Sequence, residues 1–406
     1  MRKINTRDFK LATRSTPREI NRQILLNLVR DHQPVSRADL ARRMGVGRGM
    51  VTSLVSELLA EGAILEGDMG DAPRGRKPTM LHVRTRDRLV VAVDVRFTRT
   101  FVMLSDFDGT QLALETFETV FEPAALVEEL AARVHRLVGG YGAAGAVEGI
   151  GMVVPGMVDR RTGRILNSPQ LGWRDVDVRG DLEAATGLPV HIENAPIACA
   201  LAQMWLGQRG GDGAADFVYV TVSDGVGAGV VVNGQVVRGH GHTAGEFGHV
   251  PLDPEGPYCL CGARGCWEAY TSNLATVARY LGQDLAPEQG RRAVKRLGIG
   301  FDDVVTRART GDARARAALQ ETGRYLGLGL AMIVNALNPS RIFVGGEVTS
   351  AWDLIEEQVR TAISERALTP AAARSPIIPE QAGTHPRLRG AIALVAAPLF
   401  AAPQVA

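Results

Sequence analysis

From residue 16 onward the apolar positions recur at helical spacing. Ile20, Ile24, Leu25 and Leu28 follow Thr16-Pro17-Arg18-Glu19, which has a capping hydroxyl, a proline at the first helical position and a carboxylate three residues after the cap. His32-Gln33-Pro34 ends that helix. Ser36-Arg37-Ala38-Asp39 caps a second, shorter one, which buries Leu40 and Met44 and stops at Gly45. A third carries Val51, Leu54, Val55 and Leu58 as its stripe and stops at Gly62. Ala63–Glu66 and Thr79–Arg84 read as two short strands. From about residue 88 the pattern becomes one of alternating strands and helices: strands at Leu89–Val95, Thr100–Ser105 and Gly149–Val154, and a helix over Ala124–Gly139. Phe217–Val222 and Val226–Val232 form a second strand pair like the first, which predicts an internally duplicated α/β body with a mixed sheet in each half.

Three short helices with a glycine turn between the second and third predict a helix-turn-helix. The third helix's polar face carries Arg48, Gly49, Thr52, Ser53 and Ser56, small or hydrogen-bonding groups that fit a major groove. Arg37, opening the second helix, joins them as a candidate DNA contact. The loop Pro73-Arg74-Gly75-Arg76-Lys77-Pro78 between the strands makes a basic wing, with Arg74, Arg76 and Lys77 placed for phosphates or a minor groove. Charge changes the picture in the same direction. Residues 1–88 hold 18 Lys+Arg against 10 Asp+Glu, and the remainder 28 against 34, a basic head on a mildly acidic body. A helical bundle with a polar outer face and a solvated basic tail is the alternative for these features taken singly.

Composition is that of a soluble globular protein, with 45% hydrophobic and 22% charged residues. The longest apolar runs are too short to cross a bilayer, and the basic N-terminus has no apolar core behind it, so a cytoplasmic location and no membrane partner are expected. Three of the four cysteines crowd together. Cys259-x-Cys261-x4-Cys266 in a glycine-rich loop, with His249 ten residues before Cys259, supplies three sulfurs and an imidazole for a closed, structural Zn²⁺ site. Cys199, in an apolar helical stretch, reads as a core residue.

Several segments together resemble the ROK family of bacterial repressors, open reading frames and sugar kinases. SRADLARRMGVGRGMVTSLVSELLAEG and RGRKP are similar to its repressor branch, whose members respond to sugars such as N-acetylglucosamine, glucose or xylose. VVPGMVD with GRILNSPQLGW, then IENA, GVGAGVVVNGQVVRGHGHTAGEFGHV, CLCGARGCWEAY and NPSRIFVGGEV follow the family's order through the body. The resemblance implies a winged helix-turn-helix over residues 1–86 and a two-lobed, actin-like (ribonuclease-H-like) sugar kinase fold. Its first lobe would comprise 87–195 with 387–406; its second, 196–386, would carry the zinc loop and dimer contacts. It also implies that His249, Cys259, Cys261 and Cys266 hold the zinc, and that Asn194, Glu246, His249 and Glu268 bind the sugar.

Two departures speak against phosphoryl transfer. The family's kinases carry a base aspartate directly after the Glu-Asn pair, and here Ala195 follows Glu193-Asn194. The first phosphate turn, Asp-x-Gly-Gly-Thr in the family, reads Asp94-Val95-Arg96-Phe97-Thr98. The second, Asp224-Gly225-Val226-Gly227-Ala228-Gly229, is better kept, and the adenosine-side turn reads Gly345-Gly346-Glu347. The expectation is therefore a regulator without enzyme activity, most simply a repressor of carbohydrate genes. It would bind double-stranded operator DNA and a small sugar effector as a homodimer or dimer of dimers. A sugar kinase with an appended DNA-binding head is the rival. Alanine at 195 removes a charge-assisted bond of about 1.5–3 kcal/mol, leaving a pentose, a larger or modified sugar, a weakly held hexose, or no sugar at all as effector.

Overall fold

The computed structural model describes residues 15–70, 77–141, 146–206, 215–241, 243–283, 297–381 and 384–401. Arg74 and Arg76 lie outside them. The head consists of α1 (Thr16–His32), β1 (Val35–Ser36), α2 (Arg37–Met44), α3 (Arg48–Ala60), β2 (Ile64–Met69) and β3 (Thr79–Val83). Its three strands pair in the order β1-β3-β2. Ser36 caps α2 through a reciprocal capping box with Asp39, and Gly45 ends it in the left-handed conformation (φ 67°). Val51, Leu54, Val55 and Leu58 are buried as their spacing requires.

Helix α1 departs from its expected face. Leu25, Leu26 and Val29 are buried, whereas Ile24 is 45% exposed. Arg18 and Arg22 pair with Glu57 of α3 and with Glu61, its C-cap, consistent with a rotation of α1 that puts the 25/26/29 stripe against the core. Ser15, and not Thr16, is the capping position; its hydroxyl donates to Glu19 at 2.6 Å and caps no backbone N–H.

The first lobe contains β4 (Arg88–Val95), β5 (Arg99–Asp106), β6 (Gln111–Glu118), α4 (Pro123–Tyr141), β7 (Ala146–Val154), β8 (Met157–Val158), β9 (Ile165–Ser168), β10 (Trp173–Val176), α5 (Val178–Thr186) and β11 (Val190–Asn194). Its main sheet runs β11-β7-β4-β5-β6. After α6 (Ala195–Leu206), the second lobe repeats that plan with β12 (Phe217–Val222), β13 (Val226–Val232), β14 (Gln235–Val236), β15 (Ile342–Gly345) and β16 (Ile377–Pro379), in the order β14-β13-β12-β15-β16. In both sheets the first three strands in sequence are antiparallel and the last two are parallel. The duplication expected from the two hairpins is therefore present. Helices α7 (Trp267–Thr271), α8 (Asn273–Leu281), α9 (Phe301–Arg309), α10 (Ala313–Leu337) and α11 (Trp352–Arg366) accompany the second sheet. Cys199 is fully buried, and burial pushes its thiol pKa up.

The final helix, α12 (Pro386–Phe400), packs on β4, β7 and α6 and then continues into the head. Phe400 belongs to the head's apolar cluster with Leu25, Leu26 and Leu58, and Trp205 of α6 packs beside it. Gln23 and Asn27 on α1 donate to the carbonyls of Leu399 and Phe400 at 2.8 and 2.9 Å. The Arg30 guanidinium lies 5.0 Å from the ring centroids of both Trp205 and Phe400. Helix α12 thus serves two bodies. Phe400→Ala is expected to cost about 3–5 kcal/mol locally. Hydrogen exchange should speed up at Leu25, Leu26 and Val29 and stay unchanged at β12 and β15.

Candidate functional site

Four donor atoms, one each from His249, Cys259, Cys261 and Cys266, lie within 4.8 Å of one another. The Cys259 Sγ to His249 Nδ1 distance is 3.6 Å and the Cys261 to Cys266 Sγ distance is 3.7 Å. Tetrahedral bonds of about 2.3 Å to sulfur and 2.0–2.1 Å to nitrogen give edges of about 3.5–3.8 Å, so the set fits one zinc-like cation. Cys259 N–H bonds Ala263 O and Gly262 N–H bonds Cys259 O, folding the loop into a knuckle. Burial of Cys266 and its neighbouring sulfurs hold that thiol up at about 11, so thiolates here need a cation to stand against.

His249 sits in the one-turn helix Phe247–His249, and with Nδ1 turned to the sulfurs its Nε2 lies 3.8 Å from Glu246 Oε2. That nitrogen is left for a ligand or second partner. A Cβ at Gly248 would lie 1.9 Å from Val226 O, so only glycine lets this segment rest on β13. Glu268, on α7, is buried and accepts from Val226 N–H at 2.9 Å. Its neighbour Trp267 anchors α7 by donating to Tyr325 O at 2.9 Å. Asn194 ends β11, and its Oδ1 accepts from Ile197 N–H at 3.1 Å, which leaves its amide hydrogens available. Burial holds the Glu246 carboxyl above its ordinary range, opposed by His249 and supported by Glu268.

Asn194, Glu246, His249 and Glu268 line one cavity of about 120 Å³. All four residues expected to bind the sugar are therefore brought together, three from the second lobe and one from the first. Ala195 and Arg387 line the same cavity. Arg387 had no sequence signal: it lies 192 residues from Ala195 in the chain, and only the packing of α12 on the first lobe brings it there.

Beyond the cavity, Arg96 lies across the cleft in the first phosphate turn. Its Nε meets Asp94 Oδ2 at 2.7 Å and its Nη1 meets Glu347 Oε1, in the other lobe, at 2.8 Å. The adjoining space, about 630 Å³, is lined by Glu118, Asp224, Asp302, Asp303 and Glu347 against Arg96 and Arg99. Burial, and then Glu347 and Asp303, raise the Asp302 pKa. This surplus of carboxylates opposes a polyphosphate. The glycines of the second phosphate turn have a packing reason to persist: a Cβ at Gly229 would lie 2.3 Å from Pro196 O.

On the head, Arg48, Gly49, Thr52, Ser53 and Ser56 share an exposed face of α3. Thr52 and Ser56 donate their hydroxyl hydrogens to Arg48 O and Thr52 O, both at 2.9 Å, which leaves their oxygens as acceptors. Ser53 accepts from Arg18 Nη2 at 2.8 Å. Arg37 pairs with Glu66 at 2.6 Å, so its charge is already compensated. Lys77 is exposed.

A duplicated ribonuclease-H-like body with a polar cavity between its lobes defines the class of actin-like sugar kinase folds. Residues 90–397 match the model of the ROK family, and the chain belongs to that family. It is 28% identical over 392 residues to the xylose repressor of Bacillus subtilis (strain 168), covering 95% of this chain and 97% of that protein. To the glucokinase of Streptomyces coelicolor it is 31% identical over 280 residues, covering 67% of this chain and 86% of the kinase. Among solved structures, a ROK family transcriptional regulator described as a homologue of the Escherichia coli MLC protein superposes with a TM-score of 0.77. That match has 25% identity and covers 95% of this chain and 97% of the other.

Cys261→Ser should lower bound zinc from about one ion per chain to a small fraction. Elemental analysis of the purified protein, beside its melting temperature, checks this; full occupancy would show that the remaining three donors suffice.

Proposed function

We propose that this protein is a sugar-responsive transcription repressor: a winged helix-turn-helix head reads operator DNA, and a catalytically silent ROK body binds the effector. The observation that carries the reading is the state of the cleft. The sugar-facing set Asn194, Glu246, His249 and Glu268 is assembled, while Ala195 offers no base and Arg96 fills the phosphate turn with its own cation. The relatives support it too, since the similarity to a xylose repressor and to a ROK transcriptional regulator runs through the head as well as the body.

In this mechanism α3 enters the major groove, with Arg48 reaching a base edge or phosphate. Thr52 and Ser56 accept from exposed base amino groups, and Gly49 permits close approach. Lys77, with Arg74 and Arg76 of the same loop, follows the backbone. Two heads of a homodimer, or of a dimer of dimers, would occupy successive grooves of a roughly palindromic site. The domains divide as 1–86, 87–195 with 387–406, and 196–386. His249, Cys259, Cys261 and Cys266 would hold a structural zinc, which would fix the loop and leave His249 Nε2 free for the sugar. No helix among the described residues is long and apolar enough to cross a membrane, and the proposed place of action is the cytoplasm. The effector acts only as far as it prefers one lobe arrangement over another. Helix α12, in contact with the cavity at Arg387 and with the head at Phe400, is the route by which that preference reaches α3.

Fluorescence anisotropy on DNA from the protein's own upstream region, repeated across a panel of sugars, tests the reading. Tight, salt-sensitive binding that one sugar weakens is expected, and Arg48→Ala should weaken it by about 1–3 kcal/mol with the body intact. Absence of specific binding would overturn it. Ala195→Asp alone should give no ATP turnover with sugars, because Arg96 still blocks the phosphate turn; measurable turnover would favour the kinase reading.

A further inference from the structure

The cavity wall next to Ala195 has a polarity of its own. Arg387, in the first turn of α12, lines the cavity and is only 8% exposed. Its Nε lies 2.9 Å from Asp94 Oδ1, yet the two are not aligned for a hydrogen bond. Nη2 makes one long bond, to Val95 O at 3.4 Å, and Nη1 makes none among the described residues. Asp94 is fully buried and gives its other oxygen to Arg96, so one carboxylate faces two guanidiniums. Arg387 is thus a buried cation with a shared counter-ion and most of its five donor hydrogens unused.

A guanidinium donates and cannot accept. A neutral hydroxyl placed against it can offer a lone pair, but must then find an acceptor for its own proton. Of the side chains that line the cavity with it, those of Val154, Ala195 and Pro196 offer none; Asn194, Thr221 and Ser223 offer neutral acceptors, which leave the guanidinium's charge uncompensated. Carboxylate and phosphate oxygens carry no proton to place, and they match the planar fork of arginine with two parallel charge-assisted bonds. Across the cavity the second lobe presents Glu246, His249 and Glu268, which read hydroxyls. The two walls therefore ask for different ends of one molecule.

We propose that the effector is an acidic sugar, a pyranose or furanose bearing a carboxylate or phosphate group, and that Arg387 is the residue that selects it. This rests on the sugar-binding reading above. Such a group supplies the counter-charge that Asp94 only half provides, and it draws Arg387, and with it the start of α12, toward the cavity.

The test is calorimetry on the full-length, zinc-loaded protein with matched pairs: glucuronate against glucose, galacturonate against galactose, and glucose 6-phosphate against glucose. At least one acidic member is expected to bind about tenfold or more tighter than its neutral parent, a difference of about 1.4 kcal/mol. That preference should shrink with added salt. Which acidic member binds distinguishes carboxylate from phosphate, and inorganic phosphate alone controls for simple ion binding. Arg387→Met should remove most of the preference, and Arg387→Lys, which keeps the charge but not the fork, should retain part of it. The wild-type pairs decide the matter even if the variants fold poorly. Neutral sugars binding as tightly as the acidic ones would overturn the proposal and leave the sugar reading standing. Failure of every sugar to bind a protein that still holds zinc and operator DNA would overturn both.

Discussion

Asp94 has no contact with solvent, and a carboxylate so placed is tolerated only when countercharges surround it. The chain supplies two, and each belongs to a different part of the molecule. Arg96 carries the interaction over to Glu347 in the second lobe, where Asn273 donates to the same carboxylate at 3.2 Å. Arg387 carries it into α12 and so toward the head. Removing the charge at residue 94 would take from Arg96 and Arg387 the countercharge they share. The relation of lobe to lobe and of cleft to head therefore depends on one aspartate, at the position where the kinase version of the fold begins its phosphate loop.

Much of this was legible in the sequence because it is local. The capping box at Ser36–Asp39, the stop at Gly45 and the Val51, Leu54, Val55, Leu58 stripe need only neighbours within a turn or two. The metal cluster was equally plain, since three of its four donors fall within eight consecutive residues. The parts that were hidden depend on distant partners. The rotation of α1 comes from Arg18 and Arg22 meeting Glu57 and Glu61, and from Leu399 and Phe400 arriving from the other end of the chain. Periodicity alone placed Ile24 inside, and it is outside. Arg387 likewise became visible only once α12 was laid against β4.

The two ends of the cleft have diverged in different ways. At one end the glycine at 248 permits the close approach to β13 that holds His249 and Glu246 in place. At the other end, Arg96 spans from Asp94 to Glu347 and occupies the turn with its side chain. Holding a ligand requires only complementarity to its ground state, whereas turnover requires a positioned base and a cradle for developing charge.

The seating of Leu399 and Phe400 makes the head a composite of two distant stretches of sequence. Gln23 and Asn27 bond to Leu399 and Phe400 across 376 and 373 residues, and the head's apolar cluster is complete only with Phe400. A chain cut before α12 would leave Leu58 of α3 on an unfinished support. Severing the head from the body would therefore loosen the packing that supports α3, so the two are one structural unit at this seam.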